Sequence, residues 1–270
     1  MTFSGHLHLE ASRAADGRTV LSRQSFRAPF HLSKPYWDGV ALHVQVVNPT
    51  AGMLEGDELE TEVVVNVGAS LLVTTPSHAR AFRVKGEGGV TNHQKLHVAA
   101  GGWLDWYPEP LVPHAGCDYR QDTKIDLEPG AALFFCESLG PGRAARGETW
   151  AWRRLELRLA VRLAGVLLLS ERYAQDADDA SRLAEMAGHP CAWLATCVIV
   201  ASGVDAAAWD ELRALHNPPL WLGLSRLPSA DAWTLRVIAP DGQSLRDALG
   251  RIRALLSPVM PGLNVSLRRV

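Results

Sequence analysis

Apolar residues recur at every second position along several short segments of this chain, and each such segment ends at a glycine. Val63, Val65 and Val67 precede Gly68, and a more continuously apolar segment follows. The same order occurs again over residues 96–104, 125–134 and 155–167. The marker glycines Gly68, Gly101, Gly130 and Gly165 lie 33, 29 and 35 residues apart. This spacing is typical of stacked structural repeats.

Each repeat predicts two β-strands joined by a tight turn. Period-2 alternation turns one face of the first strand inward, whereas the unbroken second strand indicates burial on both faces. Glycine suits the turn because it adopts positive φ without a Cβ clash. A unit of about thirty residues cannot bury its apolar face alone, so its neighbours must stack on it. We expect residues 1 to about 200 to form stacked antiparallel or solenoid-like β-strand layers, with a pair of ordinary β-sandwich hairpins as the alternative.

Two α-helices are expected in the C-terminal third of the chain. The first is predicted to be capped by Asp205 and to end at the Asn-Pro-Pro of residues 217–219. The second has a stripe of leucine and isoleucine at helical spacing, with Ser244 as its cap and Pro258 beyond its end. A strand over residues 234–238 is predicted between them.

The pattern indicates one domain. A last short strand is expected over residues 264–267, and no linker is long enough to separate two domains. We therefore expect a single mainly β domain over residues 1–270, with the β body to about residue 200 and a mixed helix–strand part over about 201–270.

Composition narrows the classes of function. The chain has 27 basic and 29 acidic residues, and its net charge of −2 argues against nucleic acid as a partner. The longest apolar stretch, Leu163–Leu169, has seven residues, whereas a membrane span needs about twenty. The first residues lack the pattern of a signal peptide. None of the four cysteines forms a Cys-x-x-Cys motif. We expect a reduced, cytoplasmic protein that binds neither membrane nor nucleic acid.

The sequence contains no local catalytic or nucleotide-binding motif. Gly-x-Gly-x-x-Gly, Gly-x-Ser-x-Gly and His-Glu-x-x-His are all absent. The pairs His6/His8 and His93/His97 have even spacing, so each pair can share a strand face and approach a metal such as nickel or zinc. The simpler interpretation is a position near the chain terminus for His6 and His8, and a solvated strand edge for His93 and His97.

Polar residues at the ends of apolar strands are more informative. Polar groups at buried strand ends need hydrogen-bond partners or water. Ordinary solvation is one explanation, and a polar, carboxylate-bearing passage inside the β body that carries a cation weakly is the other. The residues concerned are Asp57, Glu60, Glu62, Thr74, Thr75, Ser77, Glu137 and Ser138.

A charged loop and a set of aromatic residues are candidates for partner contacts. Arg143, Arg146 and Glu148 lie together, either in a loop fixed by arginine–carboxylate pairing or at a protein-docking edge. Nine tryptophans, against six phenylalanines and four tyrosines, favour an interface, where tryptophan is enriched. Core packing is the alternative. The candidate anchors are Trp103, Trp106 and Tyr107.

Residues 48–57, Asn-Pro-Thr-Ala-Gly-Met-Leu-Glu-Gly-Asp, resemble the signature of the UreD (UreH) family of urease accessory proteins. The resemblance continues in the same order through residues 72–83, 102–110 and 142–148. It covers about residues 20–172 well and the rest of the chain loosely. The collinear series makes the resemblance specific, although any single segment would be weak.

The resemblance implies a mostly β fold and a non-enzymatic chaperone that helps to deliver nickel to apo-urease. It implies contacts with the urease apoprotein and with UreF, which recruits the GTPase UreG. It also implies transient nickel without a tightly bound cofactor, carried along an internal polar tunnel. The lining residues that fit are Asp57, Glu60, Thr74, Thr75, Ser77 and Glu137. The partner-binding residues that fit are Arg80, Trp103, Trp106, Tyr107, Arg143, Arg146 and Glu148.

This chain departs from the family pattern at a few positions. Ala51 and Glu55 stand where the family usually has glycine, and Arg80 and Phe82 stand where lysine and tyrosine are more usual. These changes suggest a divergent subgroup with an altered partner surface.

Two other functions remain open from the sequence. One is a β-solenoid enzyme acting on a polysaccharide or small acid, which would need Asp57, Glu60 and Glu137 to converge. The other is an interaction scaffold unrelated to urease.

Overall fold

Two β-sheets that share a hydrophobic core make up most of the described chain. The computed structural model describes residues 4–179, 182, 185, 188–204, 206–228, 231–265 and 267. The first sheet has the strand order β17 (Val166–Asp176), β16 (Arg154–Leu163), β12 (Asp118–Leu127), β9 (Val90–Val98), β6 (Glu58–Val65), β1 (Ser4–Arg13) and β2 (Thr19–Phe26). The second sheet has the order β19 (Trp221–Arg226), β20 (Ala232–Ala239), β18 (Trp193–Val200), β13 (Ala132–Leu139), β10 (Trp103–Tyr107), β7 (Ser70–Thr74), β5 (Ala41–Val47) and β3 (His31–Leu32).

Five short strands complete the described sheet structure. Three of them join the second sheet beside its main path: β4 (Tyr36–Asp38), β8 (Ala79–Ala81) and β11 (Leu111–Pro113). The other two, β14 (Gly142–Arg143) and β15 (Glu148–Thr149), pair with each other.

The predicted repeats stack in register, which confirms the mainly β, solenoid-like class. In the first sheet Val63, Leu96 and Ile125 occupy one level of three parallel strands. In the second sheet Leu71 and Leu104 pair in the same way. Antiparallel pairing occurs between β1 and β2, β16 and β17, and β18 and both of its neighbours. The body is therefore parallel at its centre and antiparallel toward its edges.

Most of the glycine turns join one sheet to the other. The first three marker glycines connect β6 to β7, β9 to β10 and β12 to β13, so each of these repeats is an arch that spans both sheets. Gly165 instead joins β16 and β17 as an antiparallel hairpin within the first sheet. All four marker glycines have φ between 66° and 79°, a region that favours glycine. The second strand of an arch is buried on both faces, whereas β17 lies at a sheet edge and is largely exposed.

Two helices, α1 (Ala206–Ala214) and α2 (Gly242–Leu256), pack on the outer face of the second sheet among the described residues. The predicted cap Asp205 of α1 lies outside the described residues. The cap of α2 is Asp241 and not Ser244, because the Asp241 carboxylate accepts a hydrogen bond from the Ser244 backbone N–H at 2.8 Å. The predicted strand over 234–238 lies within β20.

The C-terminal end differs from the prediction. Residues 261–263 form a short 3-10 turn, and residues 264, 265 and 267 are not in a strand. Residue 266 lies outside the described part of the chain. β19 was not expected from the sequence and forms an edge of the second sheet.

A buried ion pair fixes α2 to the second sheet. Arg253 on α2 donates two hydrogen bonds to the Asp105 carboxylate on β10, at 2.9 and 2.6 Å. Arg253 is 4% exposed and Asp105 is fully buried. The guanidinium also lies 4.7 Å from the ring of Tyr107. This contact holds Tyr107 half-buried beside a groove between α2 and the segment after β7.

Candidate functional site: a polar cavity between the sheets

Uncharged polar residues occupy part of the inner face of the first sheet. Asn92 on β9 is level with Gln121 on β12, and Gln94 is level with Thr123. Thr61 on β6 extends the second of these levels. Because side chains alternate between the faces of a strand, these residues lie on the same face as the apolar core positions further along β6, β9 and β12. They therefore project into the space between the two sheets.

These residues form a hydrogen-bonded network that ends on a carboxylate. Asn92 Nδ2 donates to Tyr119 Oη at 2.9 Å, and Tyr119 Oη donates to Gln121 Oε1 at 2.7 Å. Gln121 Nε2 donates to Thr123 Oγ1 at 3.2 Å and also to Glu137 Oε1. Thr123 Oγ1 donates to Glu137 Oε1 at 3.3 Å. Glu137 comes from β13 of the second sheet, so the network connects the two sheets.

The carboxyl group of Glu137 titrates near neutral pH. Burial between the sheets raises the pKa of Glu137 to about 7, and the nearby charge of Glu171 raises it as well. Hydrogen bonds from Thr123 and Gln121 act in the opposite direction. Protonated and ionised forms of Glu137 are therefore both populated around pH 7.

A cavity of about 210 Å³ lies along this network. Asn92, Gln94, Gln121 and Glu137 line its interior, and the segments 48–53 and 75–80 form its mouth. The mouth therefore contains most of the signature segment. Asn92 Oδ1 is buried and has no hydrogen-bond partner among the described residues. A buried acceptor of this kind favours the binding of a polar ligand in the cavity.

Gly52 holds the signature segment against β8. Its φ is 149°, and a Cβ atom there would lie 2.6 Å from the ring of Phe82 and 2.7 Å from the carbonyl oxygen of Arg80. The next residue, Met53, donates its backbone N–H to that Arg80 oxygen at 2.7 Å, and Phe82 N–H donates to Met53 O at 2.9 Å. Glycine is the residue that fits this close approach.

Two departures from the family pattern have structural roles in this chain. The Glu55 carboxylate accepts hydrogen bonds from the backbone N–H groups of Lys85 and Gly86 at 2.9 Å, and these bonds lower the pKa of Glu55. The Phe82 ring packs edge-to-face on His114, with centroids 4.7 Å apart. Glu55 therefore anchors the glycine-rich loop after β8, and Phe82 packs without needing a hydroxyl group.

A second cavity of about 430 Å³ lies at the edge where β16 and β17 meet β18 and β20. It shares Glu137, Ser138 and Leu157 with the first cavity. Glu171 from the first sheet and Arg236 from the second form an ion pair at this edge. Glu137 therefore lies where the two cavities adjoin.

Three of the predicted lining residues lie in the cavity wall: Thr75, Ser77 and Glu137. Thr75 Oγ1 accepts a hydrogen bond from the Glu109 backbone N–H at 2.8 Å, which orders the segment after β7. Ser77 is exposed at the mouth, and Glu137 is half-buried at the inner end.

The other three predicted lining residues, Asp57, Glu60 and Thr74, are not in the wall. Asp57 is fully buried in the turn before β6, where its carboxylate accepts a hydrogen bond from Leu54 N–H at 2.8 Å. Glu60 is exposed on the outer face of the first sheet. Thr74 Oγ1 is 2.7 Å from His43 Nε2 on the side of the second sheet that faces away from the cavity. Strand parity explains the positions of Glu60 and Thr74. Each directly follows a residue that faces the interior between the sheets, so its own side chain lies on the opposite face of the strand.

The aromatic candidates for partner binding are mostly core residues. Trp103 is 9% exposed and Trp106 is 5% exposed, and they lie on opposite faces of β10. Tyr107 is half-buried under Arg253. The exposed tryptophans are instead Trp37 and Trp221.

The charged candidates divide in a similar way. Arg143 donates two hydrogen bonds to the Glu148 carboxylate, at 2.8 and 2.6 Å, so this loop is fixed by arginine–carboxylate pairing. Arg80, at the cavity mouth, and Arg146, in a short 3-10 turn, are exposed. Neither forms an ion pair with another described residue. A role of these residues in partner binding stays a prediction.

Two other features are absent from the described residues. None of the helices combines the length and apolar character needed to cross a membrane. No set of three or more His, Cys, Asp and Glu side chains is arranged to hold a metal ion.

The fold and the cavity define a solenoid-like, two-sheet β protein with a polar interior and helices on one face. The chain belongs to the UreD urease accessory protein family, because the family model matches residues 4–270. A protein of Opitutus terrae named urease accessory protein UreD is 50% identical over 274 residues, which cover 100% of both chains. Proteins of the same name from Deinococcus radiodurans and Pseudomonas entomophila are 31% and 30% identical, over 93% and 97% of this chain and 89% and 91% of their own. The family name describes an accessory role in urease maturation.

Proposed function

We propose that this chain acts in urease maturation as a non-catalytic chaperone that passes nickel to the urease apoprotein through the cavity between its sheets. Family membership supports the part in urease maturation. The observation that carries the nickel part is the position of Glu137. It is a carboxylate held by amide and hydroxyl groups where two cavities adjoin.

The chemistry of the wall suits an ion in transit. Amide, hydroxyl and carboxylate oxygens bind a borderline cation such as nickel more weakly than a set of thiolate and imidazole ligands does. A closed four-ligand site would retain the ion. Asn92 Oδ1 and the Glu137 carboxylate offer oxygen donors at successive points along the cavity.

Proton competition gives the transfer a pH dependence. Glu137 binds a cation in its ionised form, and its pKa is about 7. Nickel transfer should therefore rise as pH increases through 7 and fall below it.

Partner contacts complete the proposal. We place the urease apoprotein and the UreF–UreG pair on faces that include Arg80 and Arg146, which are exposed and have no ion-pair partner among the described residues. Arg80 lies at the cavity mouth, so a partner bound there would cover one end of the route. All of these steps are expected in the cytoplasm.

The test is nickel incorporation into urease, activated together with all accessory proteins and either the wild-type chain or Glu137→Gln. Glu87→Gln is the matched control, because Glu87 is exposed in the loop after β8 and away from the cavity. We expect Glu137→Gln to lower the nickel content of urease while it still co-purifies with UreF. Wild-type incorporation by a folded Glu137→Gln variant would exclude the conduit and leave only the scaffold.

The alternative functions receive less support. Asp57 lies in a turn, Glu60 on an outer sheet face and Glu137 between the sheets, so the three carboxylates do not converge as the enzyme hypothesis requires. Family membership contradicts a scaffold unrelated to urease.

A further inference from the structure

The outer face of the first sheet, opposite the cavity, carries a row of alternating imidazole and carboxylate side chains. His6 on β1 pairs with Glu60 on β6, Glu60 pairs with His93 on β9, and His93 pairs with Asp122 on β12. All of these pairings are parallel and in register, so the four residues occupy one level at a spacing of ~4.8 Å from strand to strand. They line a surface groove of about 430 Å³.

The two central residues of the row are exposed and unengaged. Neither Glu60 nor His93 forms a hydrogen bond or ion pair with another described residue, and both side chains face solvent. At the ends of the row, His6 Nε2 lies 2.9 Å from Ser25 Oγ, and Asp122 lies 3.3 Å from Lys124 Nζ. The central carboxylate therefore has one free imidazole beside it and a second that only a serine hydroxyl holds.

The geometry suits a metal ion above Glu60. His6 and His93 flank it at two strand spacings, ~9.6 Å from each other across the sheet. An imidazole on a side chain of two rotatable bonds reaches about half that distance. Rotation of the two histidines toward the centre thus brings two nitrogen donors over one carboxylate. The described residues contain no formed three-ligand cluster, so ligation requires the two histidines to rotate toward Glu60.

We propose that His6, Glu60 and His93 form a binding site for a borderline divalent cation, such as nickel or zinc, on the outer face of the first sheet. Two imidazoles and one carboxylate match the ligand preference of these ions and not that of magnesium or calcium. Lys95 and Lys124 lie in the same groove, and their positive charge keeps the site weak. The site is separate from the cavity, because β6 and β9 themselves lie between the two.

The test is binding of Ni²⁺ alone to the full-length chain, measured by isothermal titration calorimetry with Mg²⁺ as the comparison ion. His93→Ala and Glu60→Gln remove two of the three ligands. His97→Ala is the matched control, because His97 is a half-buried histidine on the same strand and the same face, four residues further on, and it lies 3.6 Å from Glu128 outside the row. Glu60 and His93 are exposed and His97 is half-buried, and thermal unfolding verifies that each variant folds.

We expect His93→Ala and Glu60→Gln each to weaken Ni²⁺ binding at least tenfold, while His97→Ala leaves it unchanged and Mg²⁺ does not bind. Ni²⁺ should also broaden the imidazole NMR signals of His6 and His93 selectively. Unchanged binding in His93→Ala, or an equal loss in His97→Ala, overturns the proposal. The Glu137→Gln variant leaves this site intact, so the outcome of the Ni²⁺ titration is independent of whether the cavity acts as a conduit.

Discussion

Replacement of Glu137 by glutamine should stabilise the protein, and the gain should grow with pH. The pKa of Glu137 rises on folding from an ordinary 4.5 to about 7. An acid whose pKa is raised on folding does not lower the free energy of unfolding below its unfolded pKa, because it is protonated in both states. Its cost increases as pH rises from 4.5 to 7 and stays constant above that. At 1.36 kcal/mol for each pH unit, the cost at pH 8 is at most about 3 kcal/mol, and partial exposure of the side chain reduces it to about 2 kcal/mol.

The measurement is urea unfolding of wild type and Glu137→Gln at pH 5 and at pH 8, followed by circular dichroism. The Glu137 carboxyl group is mostly protonated at pH 5 and mostly ionised at pH 8, so the informative quantity is the difference between the two gains. We expect that difference to be about 1.5 kcal/mol, with more stabilisation at pH 8, because about a fifth of the cost is already present at pH 5. Glu87→Gln in the exposed loop should show no difference. An equal effect of Glu137→Gln at both pH values would refute the raised pKa and the pH dependence of nickel transfer.

Three further changes test the packing around the site. Gly52→Ala should lower the free energy of unfolding by more than about 2 kcal/mol, because the new Cβ meets the Phe82 ring. Gly250→Ala in α2, where a Cβ meets nothing, should raise the free energy of unfolding by about 1 kcal/mol. Equal urea midpoints of the two variants would contradict this. Arg253→Met should lower the free energy of unfolding by about 3–5 kcal/mol, because it leaves the Asp105 carboxylate buried and unpaired, and adding Asp105→Leu should restore most of the loss. No recovery in the double variant would contradict an electrostatic origin. Glu55→Ala should release the glycine-rich loop and speed its tryptic cleavage severalfold; an unchanged rate would show that the loop is held by other contacts.

The layered fold could be predicted from the sequence because its signals are local. Period-2 alternation and a glycine with positive φ mark every turn, and Gly68 and Gly165 look alike in this respect. Their difference is not local. After Gly68 the chain crosses to the other sheet, and after Gly165 it folds back on its own sheet. Which sheet accepts the second strand depends on the strands already present, so an arch and a hairpin share one sequence pattern.

The candidate site could be predicted only in part, because even spacing shows which residues share a strand face but not which face meets the other sheet. Glu137 lies on the inward parity of β13, whereas Glu60 lies on the outward parity of β6. The residues that build the network, Asn92, Gln94 and Gln121, were missed. Their even spacing from buried apolar positions of the same strands was the available signal. A polar residue an even number of positions from buried apolar residues of the same strand must face the interior.

Several of the nine tryptophans pack in the core of this chain. Trp150 and Trp152 pack edge-to-face with centroids 5.4 Å apart, and Trp209 stacks on Trp233 at 4.0 Å. A stack of strands with few helices needs large side chains to fill the ends of its interior, and tryptophan serves that purpose as well as an interface does.

The arches that link the two sheets tie the dimensions of the cavity to the chain itself. Every complete arch adds one strand to each wall, so the opposing walls widen together, in steps of about thirty residues. Excision of a whole arch would narrow the interior and leave the remaining strands facing their former neighbours. A cut inside an arch would leave one wall a strand short and expose the interior along its side. Interior width in such proteins can therefore vary only in whole arches.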